Sequence, residues 1–323
     1  MRRSLMIPLL IVWLNLFLSS AHAQEYQTYG THNPPNGSPC AVQGCEYQRS
    51  AGEPANPIWP EYWQSDWTMY RVYSGYDKFP PPYVGKPPAP LKDGVDYQTS
   101  HGATFYDSSW RGKSGEGAMV ERYDDYCLPI FPIDNHYSCK FISLGDVAYF
   151  VAGEGRPTWM PRLCLFSPLN HPPRRDFVKH LPYSAADSER IGKGGQAYSF
   201  WISAANGYVI QVGASPDRTA DGGILFGYGF DTDKTGKIMP QSFYFSGYPL
   251  DPANAPIVSQ NYVGLSPTQP SQDLWSEVAG IDPTTLPACQ LFNPPASKVG
   301  TEKLGKAMRK RAPTWGDIGR WKP

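Results

Sequence analysis

Glycine and proline interrupt this chain too often for long helices to form. The 323-residue sequence contains 31 Gly and 34 Pro, and runs such as Pro80-Pro81-Pro82 remove successive backbone donors. Aromatic residues are nevertheless plentiful, with 21 Tyr and 10 Trp, a composition that disordered chains lack. The sequence therefore predicts a folded, mainly β protein whose short strands are joined by tight turns.

The first residues have the three zones of an export signal. Arg2 and Arg3 precede an apolar run over residues 5–18, and Ala21 and Ala23 form a small-residue cleavage site. The run is shorter than the ~20 apolar residues that a membrane span needs. We predict a Sec signal peptide over residues 1–23, cleaved after Ala23. The mature protein is then secreted or periplasmic and has no transmembrane segment.

All of the cysteines follow this signal. An even number in an oxidising compartment predicts up to three disulfides, with 15 possible pairings. No C-x-x-C motif and no zinc-type Cys/His spacing is present, so disulfides are favoured over metal binding. The six residues are Cys40, Cys45, Cys127, Cys139, Cys164 and Cys289.

Four parts are predicted along the chain. Residues 1–23 are the signal peptide, 24–98 a Pro- and aromatic-rich irregular arm, 99–290 an antiparallel β domain, and 291–323 a basic tail. Within the β domain, short links such as Gly145-Asp146 and Asn206-Gly207 indicate antiparallel pairing. The sheet is expected to curl as a half-open barrel or to form a sandwich. Predicted strands are 103–107, 118–126, 137–144, 147–152, 163–167, 197–203, 208–212, 224–230 and 241–246.

The arm and the tail each permit two interpretations. Trp59, Trp63 and Trp67 in the arm either pack over the β domain or stack on sugar rings. Residues 298–323 carry eight Lys/Arg against two Asp/Glu, which gives a net of +6. This tail is either a solvated terminus or a contact for an anionic surface. The formal net charge of the whole chain is zero, so no nucleic-acid partner is predicted.

No enzyme motif is present. The sequence lacks the G-x-S-x-G, H-E-x-x-H and P-loop patterns. Glu121 with Asp124 and Asp125 supplies carboxylates for glycoside chemistry, but adjacent strand residues face opposite sides of a sheet. We therefore predict no catalytic residues and a non-enzymatic protein.

Metal binding has two weak candidates. Asp176 and His180 share a face if a helical turn follows Pro173, and His171 lies nearby in sequence. The segment from Asp231 to Gly236 imitates the start of a calcium loop, but Ser242 occupies the place of the bidentate glutamate. A hairpin turn explains that segment equally well. No metal site and no cofactor are predicted from these residues.

The predicted strands carry large apolar side chains in same-face pairs. Such a face must be covered by helices, a second sheet or a ligand, and helical patterns are scarce here. We predict that this face binds a hydrophobic small molecule, with an ordinary packed core as the alternative. The candidate ligand-binding residues are Tyr149, Phe200, Ile202, Ile210, Phe226, Tyr228, Phe243 and Phe245.

The order of features over residues 104–289 resembles the ependymin-related group of secreted proteins. The residues that carry the resemblance are Thr104-Phe-Tyr-Asp107, Met119-Val-Glu-Arg-Tyr-Asp124, Tyr137-Ser-Cys139-Lys, Ala148-Tyr149-Phe150, Arg162-Leu-Cys164, Asp176-Phe177, Tyr183, Tyr198-Ser-Phe-Trp201 and Leu286-Pro-Ala-Cys289. This group resembles the bacterial lipoprotein carriers in fold.

The resemblance implies a deep, half-open antiparallel barrel that holds an apolar ligand, often with calcium dependence. It implies that Cys164 pairs with Cys289, Cys127 with Cys139, and Cys40 with Cys45. We therefore expect a secreted, non-enzymatic carrier or binding protein for a lipid-like ligand. The alternative is an exported carbohydrate-binding or carbohydrate-active protein that uses the aromatic residues of the arm.

Overall fold

A computed structural model describes residues 46–127, 136–167, 171–192, 196–204, 223–248 and 257–289. Ten strands dominate these residues, with one short helix, α1 (Ala185–Ile191), and a few 3-10 turns. The strands are β1 (Tyr62–Val72), β2 (Tyr97–Gly112), β3 (Gly115–Tyr123), β4 (Cys139–Leu144), β5 (Val147–Ala152), β6 (Leu163–Ser167), β7 (Tyr198–Ala204), β8 (Gly223–Thr232), β9 (Ile238–Tyr248) and β10 (Ile257–Ser266).

All ten strands form one antiparallel sheet in the order β6-β5-β4-β3-β2-β1-β10-β9-β8-β7. The sheet thus consists of two meanders, β1 to β6 and β7 to β10, which are joined where β1 pairs with β10. The prediction of a mainly β, antiparallel fold is confirmed. Within the described residues β6 and β7 do not pair, so the sheet is curled but not closed.

Each predicted strand that falls within the described residues overlaps an observed one. The predicted strand 208–212 and the Asn206-Gly207 turn lie outside them, as do the signal peptide and the basic tail. Two central strands, β1 and β10, were not predicted. The prediction that residues 24–98 are irregular was wrong for Tyr62–Val72, because residues 61–79 contain no proline and the strand residues mostly alternate buried with less buried side chains.

The curl of the sheet brings distant strands together on its inner face. Phe150 of β5 and Cys164 of β6 belong to the same buried cluster as Phe245 of β9 and Val258 of β10. β5 and β9 are six strands apart, which is roughly 29 Å across a flat sheet with 4.8 Å between strands. The inner face must therefore fold back on itself.

Two irregular segments cover the outer face. Residues 271–288 place Trp275 and Val278 against β3 to β6, where they join Ile142 and Tyr149 in one buried cluster. Residues 73–96 place side chains such as Tyr83 over β1, β7, β9 and β10. The outer face is therefore a packed core on both halves of the sheet.

The connection from β6 to β7 closes one end of the inner face. Phe177 and Val178, in its 3-10 turn Phe177–His180, pack with Trp59, Trp63 and Tyr106. The Tyr106 hydroxyl donates a hydrogen bond to the Pro173 carbonyl at 2.7 Å. Residues 46–59 run beside this connection and are held to it by backbone hydrogen bonds, Tyr47 N to Lys179 O at 2.6 Å and Trp59 N to Arg175 O at 2.9 Å.

Both edges of the sheet are covered. At β6, the Leu165 amide donates to the Pro287 carbonyl at 2.8 Å and the Cys289 amide donates to the Leu165 carbonyl at 2.9 Å. At β7, the Trp201 amide donates to the Pro182 carbonyl at 3.0 Å. Backbone groups that are paired in this way cannot pair with a strand of another chain.

Two disulfides hold the sheet. Cys127 pairs with Cys139 across the connection from β3 to β4, and Cys164 of β6 pairs with Cys289 of the edge cover. Both pairings agree with those that the resemblance implies, while Cys40 and Cys45 lie outside the described residues. Disulfides are consistent with an oxidising, extracellular location. No helix within the described residues is long and apolar enough to cross a membrane.

Gly102 provides the space for a buried indole. Trp67 of β1 pairs with Gly102 of β2, which pairs in turn with Tyr123 of β3. The indole lies over the glycine and meets the Tyr123 ring with centroids 5.3 Å apart. A Cβ atom at Gly102 would stand 2.0 Å from the Arg122 carbonyl oxygen and 2.2 Å from Trp67 Cζ2.

Gly102→Ala is therefore expected to lower the free energy of unfolding by about 2–3 kcal/mol or more, because a backbone oxygen and a buried ring must both move. Chemical denaturation of the oxidised protein measures the effect. Gly280→Ala is the matched control, since its added Cβ meets nothing within 4 Å. Equal stability of the two variants would contradict the proposed steric role.

Candidate functional site

A single carboxyl group lies at the centre of the inner face. Glu121 of β3 is paired in register with Thr104 of β2, whose hydroxyl donates a hydrogen bond to Glu121 Oε2 at 2.9 Å. Its neighbours on the same face of β3 are Met119 and Tyr123. Glu121 therefore lies between the two inner-face clusters, the one near the disulfides and the one near Trp59.

Tyrosines from three strands surround this carboxyl group. The Glu121 carboxylate raises the pKa values of Tyr123, Tyr228 and Tyr262, in addition to the larger effect of burial on each. Tyr228 belongs to β8, five strands from β3, which is roughly 24 Å on a flat sheet. The curl of the sheet is what brings these two residues into electrostatic range.

Three of these side chains are surrounded by protein, yet each keeps some accessible surface. They are Glu121, Tyr228 and Tyr262. From these two properties we infer that a space lies between the three side chains. We call this space the Glu121 cavity. Partly buried aromatic rings, among them Phe141 and Phe243, pack against the cluster on one side of it.

Two buried donors near Glu121 lack ordinary hydrogen bonds. Trp67 Nε1 and Gln260 Nε2 make none within the described residues. Both nevertheless lie near enough to the Glu121 carboxyl group to lower its pKa. Trp67 is 2% exposed and Gln260 is 3% exposed, so these donors are directed inwards without a partner at normal distance.

Burial raises the pKa of Glu121 to about 8, and the donors Thr104, Trp67 and Gln260 partly oppose that rise. No lysine, arginine or histidine in the described part of the chain contributes to it. Ionisation inside the protein is costly when no cation is near. At pH values below about 8 the Glu121 carboxyl group is therefore protonated and neutral. Perturbed pKa values of this kind are concentrated at functional sites.

The predicted ligand-binding residues are distributed over several surroundings. Tyr228 lines the Glu121 cavity, and Phe243 contacts it with ring centroids 5.5 Å apart. Phe200 and Phe245 also face inwards but are fully packed. The part of the predicted set that the structure brings beside Glu121 therefore includes Tyr228 and its neighbour Phe243.

The other four predicted residues have different placements. Tyr149 faces outwards beneath Trp275, since Phe150 is the inward residue of that part of β5. Ile202 and Phe226 are paired with each other in β7 and β8. Ile210 lies outside the described residues.

The aromatic residues of the arm are packed. Trp59, Trp63 and Trp67 are 1%, 0% and 2% exposed, which favours the interpretation that these rings pack with the β domain over the one in which they stack on sugars. Trp59 meets the rings of Tyr106 and Phe177 at centroid distances of 5.0 and 4.9 Å. None of the three indoles presents a face on which a sugar could stack from outside.

The other acidic candidates form separate ion pairs. Asp124 accepts from Arg122 at 2.8 Å, and Asp125 lies 2.9 Å from His101 Nδ1. Neither joins Glu121, so the structure assembles no pair of carboxyl groups for glycoside chemistry from these residues.

The two metal candidates also have structural roles. Asp176 pairs with Lys179 at 2.7 Å, and His171 Nδ1 contacts the carbonyl of Pro172. Asp233 accepts from the amide and hydroxyl of Thr235 in the turn between β8 and β9. Within the described residues no group of three or more metal-binding side chains occurs.

Sequence reasoning missed the residues that surround Glu121. These residues come from β1, β2 and β10, which are far apart in the sequence, so alternation within one strand does not show that they meet. They are Thr104, Trp67, Gln260 and Tyr262. One signal was present: in β3 (Gly115–Tyr123), the acid Glu121 directly follows the apolar residues Ala118 to Val120.

No protein-family model matches the sequence, and no curated protein matches it significantly. The geometry of the Glu121 cavity therefore has to be interpreted on its own chemistry.

Protonation of Glu121 couples stability to pH. Its pKa is about 8 in the folded protein against a usual value of 4.5, so the folded state holds a proton that the unfolded state releases between these values. The stability that the protonated group contributes is complete below about pH 4.5 and is lost as pH rises to about 8. Over this window the free energy of unfolding falls by up to about 1.4 kcal/mol per pH unit.

Glu121→Gln is expected to remove this dependence. Denaturant unfolding of wild type and variant at several pH values between about 5 and about 8 should show a stability difference that grows with pH in favour of the variant. Glu154→Gln, at an exposed position, controls for the loss of one negative charge. Parallel pH profiles for wild type and Glu121→Gln would refute a buried, protonated Glu121.

Proposed function

We propose that this protein is an exported, non-enzymatic binding protein that holds an apolar, lipid-like molecule in the Glu121 cavity. The observation that carries the proposal is the pair of properties shared by Tyr228 and Tyr262, which are surrounded by protein yet retain accessible surface. Concave, mostly aromatic sites with a few convergent polar groups are typical of small-molecule binding.

The arrangement of cover around the sheet supports this proposal. The outer face is closed by residues 73–96 and 271–288, and one end of the inner face is closed by Phe177 and its neighbours. The inner face near Glu121 instead keeps partly exposed aromatic rings, including Phe141, Phe166 and Phe243. Apolar surface of this kind gains about 25 cal/mol for each Å² that a ligand removes from water.

Export is part of the proposal. The predicted signal peptide over residues 1–23 directs the chain to an oxidising compartment, and the two observed disulfides suit such a compartment. A binding role agrees with the absence of enzyme motifs in the sequence. The resemblance to ependymin-related proteins points to the same class of ligand. Contact of the basic tail with an anionic surface remains a separate proposal, independent of the cavity.

Uptake of a neutral apolar fluorophore such as N-phenyl-1-naphthylamine tests the cavity. The oxidised full-length mature protein should bind it with enhanced emission. Met119→Trp adds bulk next to Glu121 on the inner face and is expected to weaken binding at least tenfold. Val263→Trp is the control, because Val263 is 55% exposed.

Native mass spectrometry of freshly purified protein provides a second readout, in which a bound molecule adds mass to the folded protein. Thermal unfolding should establish that both tryptophan variants are folded. Absence of fluorophore binding together with a mass equal to the polypeptide alone would overturn the proposed function.

A further inference from the structure

The Glu121 cavity combines a carboxyl group with aromatic walls and has no described basic residue to balance it. Glu121 forms no ion pair with a described residue, and every described effect on it comes from burial or from the neutral donors Thr104, Trp67 and Gln260. A buried acid in a protein interior ordinarily has a cationic or metal partner. Without one the Glu121 carboxyl group keeps its proton, and a cation that binds beside it takes the place of that proton.

The walls favour a cation over an anion. Trp67 and Tyr123 form an edge-to-face pair at 5.3 Å, and Tyr228 and Phe243 form a tilted pair at 5.5 Å. Ring faces attract positive charge, and alkylammonium groups are commonly bound between such rings. A carboxylate or sulfate would instead meet the π faces and Glu121 itself.

The neighbouring polar groups prepare Glu121 to ionise when a cation arrives. Thr104 already donates to Oε2, and Trp67 Nε1 and Gln260 Nε2 are buried donors without partners at normal distance. All three favour the negative form of the carboxyl group. The tyrosines that face it, Tyr123, Tyr228 and Tyr262, have raised pKa values and therefore stay neutral.

Resting on the proposed function, we infer that the ligand of the Glu121 cavity is a cationic amphiphile whose alkylammonium group pairs with Glu121 while its apolar chain lies against the aromatic wall. Glu121 then selects the head group, and the ring residues hold the remainder of the molecule. The aromatic pocket alone would bind neutral apolar molecules without this selection.

Head-group selectivity tests the inference on the oxidised full-length mature protein. Decyltrimethylammonium, decan-1-ol and decyl sulfate share one chain and differ in charge. Below their micellar concentrations, each is titrated against bound N-phenyl-1-naphthylamine. At about pH 8.5 the ammonium compound should bind at least tenfold more tightly than the alcohol, and the sulfate more weakly than the alcohol.

The pH dependence of the same titration identifies the acid. Decyltrimethylammonium keeps its charge at every pH, so its binding should weaken about tenfold per unit as pH falls below the pKa of Glu121, about 8. Binding of decan-1-ol should change little over the same range. A flat profile for the ammonium compound would overturn the role of Glu121.

Glu121→Gln should abolish the preference for the ammonium compound and leave decan-1-ol binding within twofold of wild type. Glu154→Gln, an exposed acid, should retain the wild-type preference. If Glu121→Gln does not fold, Tyr228→Leu replaces it, since loss of the ring face should weaken ammonium binding threefold to tenfold with little effect on the alcohol.

The outcomes separate the two proposals. If decan-1-ol binds as tightly as decyltrimethylammonium, or decyl sulfate binds best, the cationic head group is refuted while the apolar site stands. If none of the three displaces the fluorophore and the fluorophore itself does not bind, both proposals are refuted.

Discussion

The pairing of β1 with β10 is the contact on which the rest of the structure depends. Without it the chain would form two separate meanders, and neither would have enough strands to enclose an inner face. With it, Trp67 and Tyr262 become directly paired neighbours at the centre of a ten-stranded sheet. The sheet can then curl until β8 faces β3, which assembles the surroundings of Glu121. The cavity is thus a product of long-range pairing and not of any local motif.

The sequence predicted the periphery of the fold better than its centre. β5 and β6 were predicted at their observed bounds because they are short, apolar and bounded by turn residues such as Gly145. β1 was missed because its Trp and Tyr residues alternate with Gln64, Asp66 and Thr68 within a proline-rich surrounding. Of the candidate wall, Tyr228 and Phe243 could be named from alternation. Glu121 was named only as one of three carboxylates for glycoside chemistry, since its surroundings come from residues on β1, β2, β8 and β10 that only tertiary structure brings near it.

Burial of the Glu121 carboxyl group lowers the stability of the folded protein. A glutamine or an apolar residue would be easier to bury at this position, since a carboxyl group must either hold a proton or lose its hydration. The Thr104 hydroxyl donates one hydrogen bond to the carboxyl group, while Trp67 Nε1 and Gln260 Nε2 lie near it without forming hydrogen bonds. Incomplete satisfaction of this kind is common where a protein keeps a site ready for a ligand, because the ligand completes the set of contacts.

The cover over β6 makes the sheet sensitive to its chemical surroundings. Residues 287–289 lie along the β6 edge through two backbone hydrogen bonds and are held there by the Cys164–Cys289 disulfide. In a reducing environment that segment would keep only weak attachments, and β6 would present an open row of amides and carbonyls. Such a row is a template for adding strands from another copy of the chain. The disulfide therefore helps to keep this edge of the sheet closed to the addition of further strands.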